Sequence, residues 1–440
     1  MTTVDLLSSK NELVERLRNE DARLFTSPIV SDFIGKNQHQ RYNTFMSIES
    51  LDQFAKTRLN KLAKKGLRRS VINTNRRDAV HLHRNGRDFV SFCCNDYLGL
   101  THHPAVKQAA RDAIQRFGVG AGASRLITGN HELYAILEEK IAALKGAKAA
   151  CVFGSGYLAN TGILPALAGP GDLIVIDELG HASMHMGARA SNAQIATFRH
   201  NDPDNLTKVL ASSRHRLRKC LVVTEGIFSM DGDRAPLDEI ASIALDHDAW
   251  LMVDDAHGFG VVGAGRGSAF EFQPAPIIPL QMGTLSKAVG VYGAFLCSSA
   301  PVVELMKNRA RSLIYTTGLP PAILAGAIAA VDIIGTDKKR VAKPHNLAKR
   351  FCANLGLGEP ESPIVPIILG DDTATMDASL ELEKAGYLVT PIRPPTVPQG
   401  TSRLRITFTA EHTMAQIEGL VDAISPLISG KILRRNTSEV

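Results

Sequence analysis

From about residue 103 onward the chain repeats one pattern: a stretch of helix length, then a short run of β-branched and other apolar residues. The runs fall at residues 149–153, 173–177, 220–224, 250–254 and 280–282, with 294–297 close behind. Strands separated by helices return by crossover connections, which are right-handed in nearly all proteins and leave neighbouring strands parallel. The pattern restricts the chain to an α/β fold with a mainly parallel central sheet. Ligands of such sheets bind beyond the C-terminal ends of the strands. Polar residues at those ends are therefore the first candidates for function.

The remaining segments arrange themselves around that region. Residues 1–50 read as an N-terminal extension, with a short charged helix at 10–24 carrying Leu13, Val14, Leu17 and Leu24 on one side. Residues 51–100 read as a helical and strand-like arm, opening with a helix over 51–67 on Phe54, Leu59 and Leu62. Residues 101–335 form the large domain. A basic stretch at 337–343 then introduces a smaller α+β domain, 336–440, with strands at 364–368 and 404–408, a helix at 377–385 and a last helix at 413–428.

Composition removes several classes of function. The longest apolar run, 322–331, is far shorter than the roughly 20 residues of a membrane span. Asp5, Lys10, Glu12, Glu15 and Arg16 stand where a secretory signal would be apolar, and the six cysteines show no C-x-x-C spacing. Both features point to a reducing cytoplasm and no membrane partner. The net charge is +6, and residues 51–100 alone hold 11 basic and 4 acidic side chains. Lys56, Lys61, Lys64, Lys65, Arg68, Arg69, Arg76 and Arg77 could form a nucleic-acid surface, but a solvated helix face has the same signature. With 5% aromatics and Trp250 the only tryptophan, the chain lacks a base-stacking surface. No nucleic-acid partner is expected.

Two adjacent carboxylates close one of the runs, in Trp250-Leu-Met-Val-Asp254-Asp255-Ala-His257-Gly258. They point to opposite faces of the strand, so one of them meets the ligand crevice, and His257 can reach it too. Such a carboxylate could bind a metal, hold a ribose or keep a heterocyclic nitrogen protonated; it could equally cap the next turn. One strand onward, Gly283-Thr284-Leu-Ser-Lys287-Ala-Val-Gly290 buries a lysine among small residues. A desolvated amine suits Schiff-base chemistry with an aldehyde, and a loop cation is the alternative. The segment Phe153-Gly154-Ser155-Gly156-Tyr157-Leu-Ala-Asn160 runs from strand into helix through glycines, either as an anion site or as turn punctuation. His181 and His185 have half the spacing of a zinc site but no third ligand, so no metal is expected and His181 is better used stacking on a flat ring. Gly258-Phe-Gly260-Val-Val-Gly263 matches a dinucleotide fingerprint, which would suit a nicotinamide oxidoreductase, yet more glycine follows it where a helix should begin.

Together these residues resemble the α-oxoamine synthases, pyridoxal 5'-phosphate (PLP) enzymes of fold type I, the aspartate aminotransferase-like fold. The resemblance runs from about residue 51 to 428 and includes Cys94-Asn95-Asp96-Tyr97-Leu98-Gly99-Leu100, Gly120-Ala-Gly-Ala-Ser124-Arg125 and Thr224-Glu225-Gly-Ile-Phe228-Ser229-Met-Asp231-Gly232. It implies PLP as cofactor and Lys287 as the amine that carries it and acts as base. It also implies Asp254 at the pyridine nitrogen, His257 at the ring oxygen, and His181 stacked over the ring. Gly156, Tyr157, Ser229 and Thr284 match cofactor contacts; Thr316 and Thr317 match residues that reach the cofactor phosphate of the other subunit in a homodimer. Arg405 matches the guanidinium that holds the amino-acid carboxylate, Asn95 and Glu225 match polar site positions, and Arg68 and Thr396 match substrate contacts.

The run from Ile392 to Pro398, with Ser402-Arg403-Leu404-Arg405, is most similar to the branch that joins L-alanine to a pimeloyl thioester with loss of CO2. The thioester would be carried on CoA or on an acyl-carrier protein; other branches use a different amino acid or acyl group. On this reading the basic residues of 51–100, Lys61, Lys64 and Lys65 among them, would help receive the anionic carrier and the distal carboxylate.

Overall fold

The structure is a computed structural model that describes residues 48–214 and 217–435; the helix expected at 10–24 lies outside the described residues. Two compact units are distinguished, Met1–Ile72 and Asn73–Val440. In the first, helix α1 spans Ile48–Lys64. It stops short of the expected residue 67 because Gly66 takes φ +65° and Leu67 N–H returns to the Leu62 carbonyl at 2.8 Å, the hydrogen bond of a Schellman end. Phe54, Leu59 and Leu62, expected to form an apolar seam, are all exposed.

In the second unit strands β1 (Thr74–Arg76), β2 (His81–Arg84) and β3 (Arg87–Ser91) form a hairpin-linked edge sheet. Helices α2 (Pro104–Phe117) and α3 (Glu132–Lys145) lead into the central sheet. Its elements follow in chain order: β4 (Ala149–Phe153), α4 (Gly156–Leu167), β5 (Leu173–Asp177), α5 (Ala182–Ser191), β6 (Gln194–Phe198), α6 (Pro203–Ser213), β7 (Cys220–Glu225), α7 (Leu237–Asp246), β8 (Trp250–Asp254), β9 (Leu280–Thr284) and β10 (Ala294–Ser298). The spatial order is β4-β10-β9-β8-β7-β5-β6. All neighbours pair in parallel except β10, which runs antiparallel to both β4 and β9. The expected mainly parallel sheet is present. β6 is the strand the sequence pattern misses, because it is an edge strand whose residues are mostly exposed and so lacks the apolar run of a buried one.

Alternation along the strands divides the core in two. Ile174, Ile176, Leu221, Val223, Met252 and Met282 pack with α4 and α5 residues on one face. Leu173, Val175, Val222, Leu251 and Val253 pack with α6 and α7 residues on the other. Register brings the functional ends level: Glu225 lies opposite Asp254, Asp254 opposite Met282, and Thr284 and Phe153 both opposite Ala294.

Helices α8 (Ala300–Arg309), α9 (Arg311–Ile314), α10 (Pro321–Thr336) and α11 (Lys338–Asn354) follow. A three-stranded antiparallel sheet completes the fold, built from β11 (Ile364–Gly370), β14 (Ser402–Thr407) and β13 (Thr390–Ile392), with α12 (Asp372–Lys384) and α13 (Met414–Arg435). The short β12 (Tyr387–Leu388) joins β3 in parallel. The core of this α+β part includes Phe351, Leu404, Phe408 and Ile417. No described helix is long and apolar enough to cross a membrane.

Candidate active site

A cavity of about 460 Å³ opens at the level C-terminal ends of β7, β8 and β9 and is closed by β13 and β14. Asp254 ends β8 and is 5% exposed. Its Oδ2 accepts from Asn160 Nδ2 at 2.8 Å and its Oδ1 from the Ala256 backbone N–H at 3.1 Å, so the carboxylate is held in one orientation. Asn160 in turn donates to Ser183 Oγ at 2.9 Å, and Ser183 Oγ lies 2.6 Å from His181 Nδ1. His181 caps α5, accepting from the Ser183 N–H, which pins the ring at the cavity wall.

His257 is buried, and burial together with the charges of Lys287 and Arg405 holds it well below the usual imidazole range, so it is neutral near pH 7. Its Nδ1 lies 2.7 Å from the Tyr97 hydroxyl. Burial pushes the Tyr97 phenol up to about 12, partly offset by the nearby Arg405 guanidinium. The same hydroxyl donates to Asn95 Oδ1 at 3.4 Å, so Tyr97 links His257 to the residue that Arg405 also holds.

Lys287 follows β9 and its Nζ reaches Thr284 Oγ1 at 3.5 Å. Burial lowers its pKa, with Asp254 and Glu225 opposing and Arg405 adding to the shift. The amine is thus biased toward its neutral, nucleophilic form. Glu225 is 3% exposed, and its Oε1 has no hydrogen-bond partner. Burial and the neighbouring Asp254 raise its pKa well above the ordinary value, outweighing Lys287. Arg405, on β14, is 6% exposed; its Nη2 donates to Asn95 Oδ1 at 3.2 Å and its Nε to the Ser229 carbonyl at 2.5 Å.

The expected residues Asn95, Gly156, Tyr157, His181, Glu225, Ser229, Asp254, His257, Thr284, Lys287 and Arg405 all line this cavity. Four others do not. Arg68 belongs to the first unit, where it is exposed. Thr396 is exposed, with its N–H on the Arg393 carbonyl. Thr317 is exposed and pairs with Ser124 in an isolated bridge, and Thr316 Oγ1 donates to the Ser312 carbonyl. In the other direction, Cys93, Asn160, Thr390 and Ile392 line the cavity without having been singled out, and Tyr97 contacts His257. Asn160 and Tyr97 stand inside quoted motifs, but nothing in their spacing marks them as partners of Asp254 and His257. His185 is not among the cavity residues, and no metal-binding group of three His, Cys, Asp or Glu side chains occurs among the described residues.

These residues fit a pyridoxal phosphate. Unpartnered buried oxygens, Glu225 Oε1 and Asn160 Oδ1, belong to cavity side chains. At the start of α4, a Cβ on Gly156 would stand 2.8 Å from Thr284 Cγ2, so glycine keeps open the space between a helix N-terminus and the Thr284 side chain. First-turn amides at such a space suit a phosphate.

Residues 87–424 match the model of the aminotransferase class I and II family. An 8-amino-7-oxononanoate synthase of Beijerinckia indica is 55% identical over 384 residues, covering 87% of this chain and all of its own length. One from Methylocella silvestris is 56% identical over 349 residues, 79% of this chain and 99% of its own. Among solved structures, a serine palmitoyltransferase from S. paucimobilis with PLP and myriocin bound superposes with a TM-score of 0.80 at 32% identity, covering 87% of this chain and 99% of that one.

Proposed function

The chain belongs to the aminotransferase class I and II family, and from that premise we propose its reaction: the PLP-dependent condensation of L-alanine with a pimeloyl thioester to 8-amino-7-oxononanoate, a step of biotin synthesis. The carrier thiol and CO2 are the other products. One observation carries this reading: a partly buried amine, Lys287, just past β9, and a fixed carboxylate, Asp254, ending the adjacent parallel β8, face one cavity that Arg405 closes from the second sheet.

Bound PLP supplies an electron-accepting ring that stabilises negative charge on the α-carbon of alanine. Lys287 Nζ would hold the cofactor's aldehyde carbon and, once displaced by alanine, remove the α-proton. Asp254 would keep the ring nitrogen protonated, and its bonds to Asn160 and Ala256 leave it no freedom to turn away. His257 would hydrogen-bond to the ring oxygen and His181 would cover the ring face. Gly156, Tyr157, Ser229 and Thr284 would hold the cofactor, several of them at its phosphate. Arg405 and Asn95 would grip the alanine carboxylate, orienting the bond to be broken. Arg68 and Thr396 would meet the acyl substrate, while Thr316 and Thr317 would serve the cofactor of the second subunit in a cytoplasmic homodimer. The same reading divides the chain at residues 50, 100 and 335.

The test is product analysis with alanine, glycine or serine against a panel of acyl thioesters, together with Lys287→Ala. Alanine and the pimeloyl thioester should give the aminoketone and CO2, and Lys287→Ala should lose turnover and the visible absorption of the bound cofactor. Retention of both by the variant would refute the assignment.

A further inference from the structure

Besides residues 51–100, one helix carries a dense run of cations. α11 contains Lys338, Lys339, Arg340, Lys343, Lys349 and Arg350 and no carboxylate in 17 residues. By contrast α1, which opens the basic stretch of the sequence, balances part of its charge with Glu49 and Asp52. Three of the α11 cations have partners: Arg340 holds Glu411 at 2.5 Å and the Leu98 carbonyl at 2.7 Å, Lys349 holds Glu359 at 2.6 Å, and Lys338 donates to the Ala264 carbonyl at 3.1 Å. Among the described residues, Lys338, Lys339, Lys343 and Arg350 make no ion pair with a carboxylate, and all four are exposed. They rim a groove of about 760 Å³ that also takes in Leu347 and Met414.

We propose that this groove docks an acidic acyl-carrier protein that delivers the acyl thioester. The inference rests on the reaction proposed above and selects one of its two possible thioester carriers. Length decides against a small anion: from Lys338 to Arg350 the cations extend along about 18 Å of helix at ~1.5 Å per residue. A nucleotide would engage a compact cluster of donors, whereas this row matches the acidic face of a partner helix, with the exposed Met414 meeting an apolar side chain of it. The groove is also tied to the catalytic cavity. Arg340 holds the carbonyl of Leu98, the neighbour of Tyr97, which in turn holds His257.

The test uses the holoenzyme and the triple variant Lys339→Glu, Lys343→Glu, Arg350→Glu, assayed with pimeloyl-CoA and with the same acyl chain loaded on an acidic carrier protein. The carrier-borne kcat/KM should fall at least tenfold at low salt through KM, and the deficit should shrink as salt is raised. The value for the CoA thioester should stay within twofold, which also certifies that the variant is folded. If the charge-reversed protein does not fold, the corresponding triple Gln variant is measured, with the same pattern expected at smaller amplitude. An unchanged carrier-borne kcat/KM, or an equal loss with both thioesters, overturns the proposal. A wild-type enzyme that uses only the CoA thioester overturns it too, while leaving the reaction intact; failure with both thioesters would refute the reaction itself.

Discussion

Replacing Lys145 should be among the most damaging single changes outside the cavity. Its ammonium lies 3.1 Å from Asp255 Oδ2 and 2.8 Å from the Arg266 carbonyl, with the side chains of Lys145 and Asp255 1% and 3% exposed. Asp255 also accepts from Ser268 Oγ at 2.6 Å and from the Ser268 N–H. The space around it is full: Gly267 has φ +110°, and a Cβ there would stand 1.8 Å from Asp255 Oδ2. Lys145→Met keeps the apolar stem against Phe259 and Phe270 but removes the charge, leaving Asp255 buried with only the Ser268 donors and the Arg266 carbonyl without its Lys145 donor. Breaking one side of a buried pair costs about 3–5 kcal/mol, and the lost carbonyl contact falls within that figure. Asp255→Asn should cost a similar amount by stranding the ammonium. The double variant should cost about 2 kcal/mol or more less than the sum of the two, since neither charge is then left alone. Guanidinium melts can be read through Trp250, the only tryptophan, at the start of the strand that leads to Asp255. A loss under about 1 kcal/mol for Lys145→Met, or additive single effects, would show that the pair is not what holds this strand end.

Two further predictions concern histidines. Tyr97→Phe removes the hydroxyl that lies on His257 Nδ1; losing such a hydrogen bond is worth about 1–3 kcal/mol, so kcat should fall about 5- to 160-fold and the pH dependence of the cofactor's visible band should shift. Unaltered kcat and spectrum would detach Tyr97 from the chemistry. His412 is stacked on Phe92 at 4.1 Å, accepts from the Thr409 N–H and hydrogen-bonds to the Ser91 carbonyl, and burial lowers its pKa to about 4. Unfolded, it would titrate near ~6.5, so its contribution is complete above that pH and is lost as pH falls toward 4. Urea melts of wild type should weaken across that window more steeply than those of His412→Gln; equal slopes would contradict the sign or the site.

Much of the fold was legible because buried parallel strands announce themselves. β4, β5 and β8 fall on the expected residues, since both faces of these strands are covered and the sequence must be apolar throughout. β6 was invisible for the opposite reason, and the antiparallel direction of β10 is written in no local pattern, because direction depends on where the chain goes between strands. The apolar positions of α1 looked like a core seam, yet periodicity reports only that a face exists and not that anything covers it.

The sequence by itself determined the chemistry available: which strand ends carry a carboxylate, a lysine and a glycine turn, and that they share one edge of a parallel sheet. Tertiary structure alone decided how those groups are tuned. It set Asn160 on Asp254 across 94 positions of sequence, Tyr97 on His257 across 160, and Arg405 on Asn95 across 310. Tuning depends on desolvation and on the last ångström of approach, and both come from segments that meet only when the chain has folded. Charge follows the same division: composition showed a small basic excess, and only folding showed which cations are paired with carboxylates and which face an open groove.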